Sequence, residues 1–192
     1  MARYIVGISG ASGTIYGVRL LEALRGAPGD ETHLIITPGA KRTMALEMSR
    51  SPESVEQLAS VVHADDDLAA PISSGSFQTS GMVVAPCSIK TAAAIAYSFN
   101  DTLLVRAADV CLKERRRLVL LIRETPLHLG HLRTLTQLAE LGAIILPPIP
   151  GFYGNPKTVD DIINHSVGKA LDALGVSHEI YRRWRGPGDQ RA

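Results

Sequence analysis

The chain is short of aromatic rings: its 192 residues hold three Phe, five Tyr and one Trp. Its core must therefore be packed from Ala, Val, Ile and Leu. Cysteine is scarce too. Cys87 and Cys111 are the only two, which excludes a disulfide framework and reads as reduced, buried thiols. Neither charge sign dominates, the net charge being +1, so the sequence carries no signature of a dedicated nucleic-acid binder. No apolar run approaches the ~20 residues of a membrane span. The start, "MARYIVGISG", lacks a signal-peptide layout: its apolar run is short and meets a Gly-rich turn with no cleavage site. The expectation is a soluble, cytoplasmic protein. At 45% hydrophobic the chain can bury one core, as a single domain over residues 1–192 with a tail from about residue 176.

What is present is an alternation of strand and helix signals. Tyr4–Ser9, Thr32–Thr37, Met82–Pro86, Leu118–Arg123 and Ala143–Leu146 read as strands. They lack clean alternation of polar and apolar residues, as strands covered on both faces do. Ile15–Arg25 carries Ile15, Val18, Leu21 and Leu24 at helical spacing, and "GAPGD" breaks it. Helices are also expected from Pro38 to about Ser49, after Ser51, and over Ser88–Ala96, Leu103–Glu114, Leu129–Gly142 and Val159–Leu174. The order predicts an α/β fold: a single-domain, Rossmann-like three-layer sandwich around a mostly parallel, doubly wound sheet. Flexibility is expected at the ends, chiefly in "RGPGDQRA".

The turn "GISGASGTIYG" (residues 7–17) joins the first strand to the first helix, where phosphates are commonly held. It fits three known motifs badly. A P-loop requires a Lys that is absent, and a nucleophile elbow requires G-x-S-x-G, which neither Ser9 nor Ser12 satisfies. A dinucleotide fingerprint requires Gly where Ser9 stands and an acidic residue where strand two ends at Thr37. There remains a phosphate or flavin-phosphate loop with the hydroxyls of Ser9 and Ser12, beside the plain alternative of an ordinary tight turn.

Other stretches carry chemistry-bearing residues, each with a bland alternative. In "APCSIKT" Ser88, Lys90 and Thr91 stand at a helix start, where a Lys opposes the macrodipole unless an anion is bound; the alternative is a capping Ser and a solvated Lys. In "VRAADVCLKERRR" the run Glu114–Arg117 reads as solvated, but Arg106 lies among small and apolar residues and needs an anion or carboxylate partner. Arg123 and Glu124 end a strand, on the side where parallel sheets bind ligands. His128 and His131 lack a third metal ligand nearby, so no metal is expected. Phe152, Tyr153 and Trp184 read either as packing anchors or as site aromatics.

Five stretches, "GISGASGTIYGVRLLEAL", "SGSFQTSGMVVAPCSIKT", "RAADVCLKERR", "LVLLIRETPLHLGHL" and "GAIILPPIPGFYGNP", occur in one order across residues 3–184. Together they resemble the UbiX-type flavin prenyltransferases, a family also described as one component of phenolic-acid decarboxylases. The resemblance implies a metal-independent enzyme that joins the dimethylallyl group of dimethylallyl phosphate to N5 and C6 of reduced FMN. The product, prenylated FMN, serves a UbiD-type decarboxylase, in ubiquinone biosynthesis or phenolic-acid breakdown. The family assembles as a dodecamer with sites at subunit contacts. By position, Gly10, Ala11, Ser12, Thr37, Ser88, Ile89, Lys90, Thr91 and Arg106 match the FMN site. Lys113, Arg123, Tyr153 and Lys169 match the dimethylallyl-phosphate site, and Ser12, Glu47, Glu124, Tyr153 and Trp184 the catalytic set. Two positions depart from the family pattern: Thr37 stands for the usual Ser, and Lys169 for the usual Arg. Lys keeps the charge but loses the bidentate fork. Two alternatives stand beside this reading. One is a flavin-dependent cysteine decarboxylase, for which "PCSIKT" replaces an Asn-rich "PASANT"-like segment and only His63 fits loosely as the catalytic His. The other is a non-catalytic FMN-binding accessory subunit, which could spare Glu47, Glu124 and Tyr153.

Overall fold

A computed structural model describes residues 2–25, 29–184 and 186. The breaker "GAPGD" and the terminal "RGPGDQRA" fall largely outside them. Among the described residues, six strands form one sheet: β1 (Arg3–Ile8), β2 (Glu31–Ile36), β3 (Val61–His63), β4 (Gly81–Cys87), β5 (Arg117–Ile122) and β6 (Ile144–Ile145). Their spatial order is β3-β2-β1-β4-β5-β6, and every pairing is parallel. The sheet is thus fully parallel and doubly wound, with the chain reversing its direction of travel between β1 and β4.

Helices cover both faces. Alternate strand residues, such as Val6, Ile8, Leu34, Ile36 and Val83, pack with α1 (Ile15–Leu24), α2 (Pro38–Glu47), α3 (Pro52–Glu56) and α7 (Val159–Leu174). The intervening residues, including Ile5, Ile35, Met82 and Val84, pack with α4 (Ile89–Ala96), α5 (Leu103–Lys113) and α6 (Leu129–Glu140). This double burial explains the continuous apolar strands. Each fully buried leucine, such as Leu20 or Leu21, contributes about 1.5–3 kcal/mol of burial free energy.

Helix starts follow the expected chemistry. Thr37, Ser51, Ser88 and Thr102 each turn a side-chain oxygen onto an amide of the following first turn. Thr158 and Asp161 form a reciprocal capping box at α7, and Gly175 closes that helix in the left-handed conformation at φ 79°. No sequence signal marks β3. It is three residues long and lies at the sheet edge with Val62 exposed, too short for a periodicity to register.

Gly17 fixes how closely α1 lies on the sheet. A Cβ there would sit 2.4 Å from the Ala85 carbonyl oxygen and 2.7 Å from Ile8. The glycine lets the helix meet the carboxyl ends of β1 and β4 at backbone distance. Gly17→Ala is expected to destabilise the protein by about 1–3 kcal/mol through overpacking, read as a lower denaturant midpoint at unchanged m-value.

Candidate active site

A cavity of about 1210 Å³ opens at the carboxyl ends of the central strands, outside the point where the strand order reverses. Its position is set by one buried side chain. Ser9 is fully buried; its hydroxyl donates to the Pro86 carbonyl at 2.9 Å and accepts from the Ser88 amide at 2.8 Å. The Ser9 amide also donates to Pro86 O, at 3.2 Å. These bonds tie the turn after β1 to the turn after β4. The expectation of Ser9 as a hydroxyl for a ligand is corrected, because the side chain is fully buried and gives its one proton to Pro86 O.

The cavity wall gathers Gly10, Ala11 and Ser12 from the first turn, Thr37 after β2, Ser88, Ile89, Lys90 and Thr91 at the start of α4, and Arg123 and Glu124 after β5. Ten of the expected positions, far apart in sequence, thus border one space. Ser88 caps the Thr91 amide at 3.2 Å and donates to the Thr91 hydroxyl at 3.0 Å. The capping role and the cavity position coincide rather than compete. Glu124 accepts from the Thr125 amide at 3.0 Å.

Sequence reasoning missed several wall residues, Lys41, Arg42, Asp65 and Asp66 among them, and named His63 only for the cysteine-decarboxylase alternative. Lys41 and Arg42 had a usable signal, since they follow Pro38 in the first turns of the helix after strand two. Asp65 had none. Its carboxylate accepts from the Leu104 amide at 3.0 Å and so holds the start of α5. Burial raises the Asp65 carboxyl above its ordinary range against that bond. His63 shares a 2.9 Å hydrogen bond with the buried His33, and burial lowers both imidazoles.

Glu47 lies beside the first turn. Its carboxylate accepts from the amides of Gly13 at 2.9 Å and Thr14 at 3.2 Å, and from the Thr14 hydroxyl at 3.3 Å. Burial alone would raise this carboxyl, but the hydrogen bonds from Ser12, Gly13 and Thr14 outweigh it and hold the group below the usual range. Glu47 therefore acts as the anion at the N-terminus of α1.

Besides Glu47, five expected residues stand outside the lining of this cavity. Arg106 pairs with Asp109 at 3.2 Å and donates to Ser73 O at 3.0 Å, which supplies the carboxylate partner its setting demanded. Lys113 pairs with Glu114. It lies eight residues beyond Val105, a cavity residue on the same helix, hence about 12 Å further along the axis. Tyr153 and Lys169 also lie outside the lining. Trp184 stands with them: it meets Tyr153 edge to face at 5.9 Å, and Tyr153 bonds His165 of α7. His128 caps α6, its Nδ1 accepting from the His131 amide at 3.3 Å. Among the described residues, no three His, Cys, Asp or Glu side chains gather as a metal site, and no helix is long and apolar enough to cross a membrane.

The segment bearing Trp184 is fastened to α7 by Asp172, which accepts from Tyr181 Oη at 2.7 Å, from Arg183 at 2.7 and 3.1 Å, and meets His178 at 3.1 Å. Burial opposes ionisation, but the bonds from Arg183 and Tyr181 prevail and bring Asp172 down to about 2. Burial and Asp172 push Tyr181 up to about 12.

Strand order and cavity together define a Rossmann-like ligand-binding protein, and the family model described as "Flavoprotein" matches residues 1–171. The flavin prenyltransferase UbiX of Escherichia coli K12 is 57% identical over 188 residues, covering 97% of this chain and all of that one. The crystal structure of AnUbiX (PadA1) in complex with FMN and dimethylallyl pyrophosphate superposes with a TM-score of 0.94 at 46% identity, covering 96% of this chain and 98% of that one. A dodecameric FMN-dependent UbiX-like decarboxylase from Escherichia coli O157:H7 gives the same TM-score at 49% identity, over 96% and 100% of the two chains. The chain belongs to the family of UbiX-type flavin prenyltransferases.

Two measurements check the local electrostatics. Asp172 is held at about 2, below its ordinary value of 3.8, so its contribution to docking the tail is complete above pH ~4 and is lost as pH falls toward ~2. Trp184 is the only tryptophan, and its emission is expected to red-shift over that window. Asp172→Asn is expected to show the shifted emission at neutral pH. Separately, Glu47→Ala is expected to cost about 1 kcal/mol of stability, as loss of a helix N-terminal acceptor does, measured by urea unfolding.

Proposed function

We propose that this chain joins the dimethylallyl group of dimethylallyl phosphate to N5 and C6 of reduced FMN, within one flavoprotein domain acting in the cytoplasm. Prenylated FMN then passes to a UbiD-type decarboxylase. The observation that carries the reading is the cavity, where ten family-matched positions from four separate loops border one space large enough for a flavin nucleotide.

The wall fits FMN by its donor set. The hydroxyls of Ser12, Thr37 and Thr91, the helix starts at Thr37 and Ser88, and the cations Arg42 and Lys90 suit a phosphate and a polyol. Ile36, Val62, Ile89, Leu104 and Val105 supply apolar surface for a planar ring. Reduced flavin, when bound, supplies the nucleophilic atoms. The residues of the chain supply the rest. Arg123, with Lys113 and Lys169, offsets the charge that grows on the phosphate as its C–O bond breaks. Tyr153 and Trp184 offer π faces to the allyl cation, and the apolar wall keeps water from it. Glu124 and the departing phosphate are placed to take protons during ring closure. Glu47 accepts from the Gly13 and Thr14 amides and so holds the first turn beside Ser12.

Lys113, Tyr153, Lys169 and Trp184 stand outside their own chain's cavity, so the reading requires that copies of the chain combine. A dodecamer with sites at subunit contacts meets that need. The exposed Ile149, Phe152, Tyr153 and Trp184, each more than half accessible, support it. The test is anaerobic incubation with reduced FMN and dimethylallyl phosphate, then mass spectrometry of the released flavin. A flavin heavier by one C5H8 unit is expected. Unmodified FMN, with both ligands shown to bind, overturns the reading.

A further inference from the structure

His165 has no place in the cavity wall and none in the family-matched set, yet it is the residue that Tyr153 touches. Tyr153 Oη and His165 Nε2 are 3.1 Å apart, with the rings edge to face at 5.9 Å and 80°. Tyr181 closes the other side of the imidazole at 5.2 Å and 78°. A Cβ on Gly151 would lie 3.0 Å from His165 Cε1 and 3.2 Å from the Tyr153 ring, so the glycine lets the loop lie close over the pair. Asp172 in turn fixes Tyr181. The imidazole is therefore held on several sides, and its Nε2 is aimed at one partner.

The hydrogen-bond inventory decides the direction of that bond. His165 Nδ1 is buried and has no partner. If the proton sat on Nδ1, a buried N–H would be left without an acceptor, and Tyr153 would spend its own proton on Nε2. If the proton sits on Nε2, only a lone pair is left unmatched. Orphaned buried donors are the rarer and costlier case. Burial and the neighbouring Lys169, one turn further along α7, both lower the imidazole from its ordinary value, which keeps it neutral and leaves one tautomer to choose.

We propose that His165 is a positioning residue for the allyl donor: its Nε2–H donates to Tyr153 Oη, so that the tyrosine's own O–H is free to donate to a phosphate oxygen. This rests on the reading that Tyr153 meets the phosphate of dimethylallyl phosphate. In this chain the orientation matters more than it would beside an arginine. Lys169 is a point charge without a fork, so beside α7 an aimed hydroxyl supplies the direction that the Lys does not.

The test has one arm without ligands and one with them. In the ¹⁵N spectrum of histidine-labelled protein, assigned by its loss in His165→Gln, Nε2 is expected to be the protonated nitrogen and Nδ1 the bare one. In kinetics, His165→Phe keeps a ring but no donor, and is expected to raise KM for dimethylallyl phosphate about 5- to 20-fold, as loss of one aimed hydrogen bond does. Its kcat and its FMN affinity are expected to stay within about twofold of the parent, as when binding common to ground and transition states is lost. His165→Gln, whose amide can donate from the same place, is expected to restore KM. A proton on Nδ1 overturns the proposal. So does the reverse rank order, with Phe tolerated and Gln impaired, which is the pattern of a ring that only packs. Failure of the parent protein to make product sinks the transfer reading instead; the tautomer measurement needs no ligand and decides the Tyr153–His165 bond in that case too.

Discussion

Ser9 Oγ lies between the Pro86 carbonyl and the Ser88 amide, and the placement of the cavity depends on it. In a parallel sheet the ladder ends where the strands end, and the loops beyond would be free to separate. The buried hydroxyl extends the β1–β4 pairing past the ladder. It brings the first turn, with Gly10 to Ser12, against the start of α4, with Ser88 to Thr91. Removing the hydroxyl, as in Ser9→Ala, would leave the Ser88 amide short of its acceptor at a cost of about 1–3 kcal/mol, while the Pro86 carbonyl would keep only its bond from the Ser9 amide. A residue that a ligand reading would place in contact with phosphate is instead the fastening of the two loops that border it.

Charge at the helix starts is divided in a similar way. The α1 start is neutralised from within by Glu47, which takes the Gly13 and Thr14 amides. The α2 and α4 starts are capped by the hydroxyls of Thr37 and Ser88, which bear no charge, and Arg42 and Lys90 add positive charge beside them. The dipoles that remain uncompensated therefore point an anion toward α2 and α4. The turn "GISGASG" looks like a phosphate loop in sequence, but the two amides that follow its last Ser are already occupied by Glu47.

The fold is legible almost entirely from the sequence because each element announces itself locally. Double burial leaves unbroken apolar strands, and hydroxyl residues and prolines mark the helix starts. β3 is not legible because three residues at an edge have no period. The site is legible only through motif resemblance. Motif position identifies Arg106 and Lys113 as family-matched, but it does not say on which chain they act. Their intrachain partners, Asp109 and Glu114, and the length of α5 are facts of packing. Ser9 misleads for a physical reason: a sequence displays donors and acceptors, but not whether the fold has already used them.

The residues singled out by family resemblance and by the proposal beside them fall into two separate groups. The cavity wall holds the donors suited to a flavin nucleotide. The second group, Tyr153, His165, Lys169 and Trp184, is built on α7 and the segments beside it, and Asp172 makes that platform rigid through Tyr181 and Arg183. Exposed aromatic rings held rigidly cost little further side-chain entropy when a second surface meets them, unlike rings on a loose tail. A platform fixed in advance by a carboxylate at its base is suited to completing the cavity of another copy. On that arrangement, both copies are ordered before the allyl donor arrives, and binding energy from the phosphate is left to orient the reacting carbon.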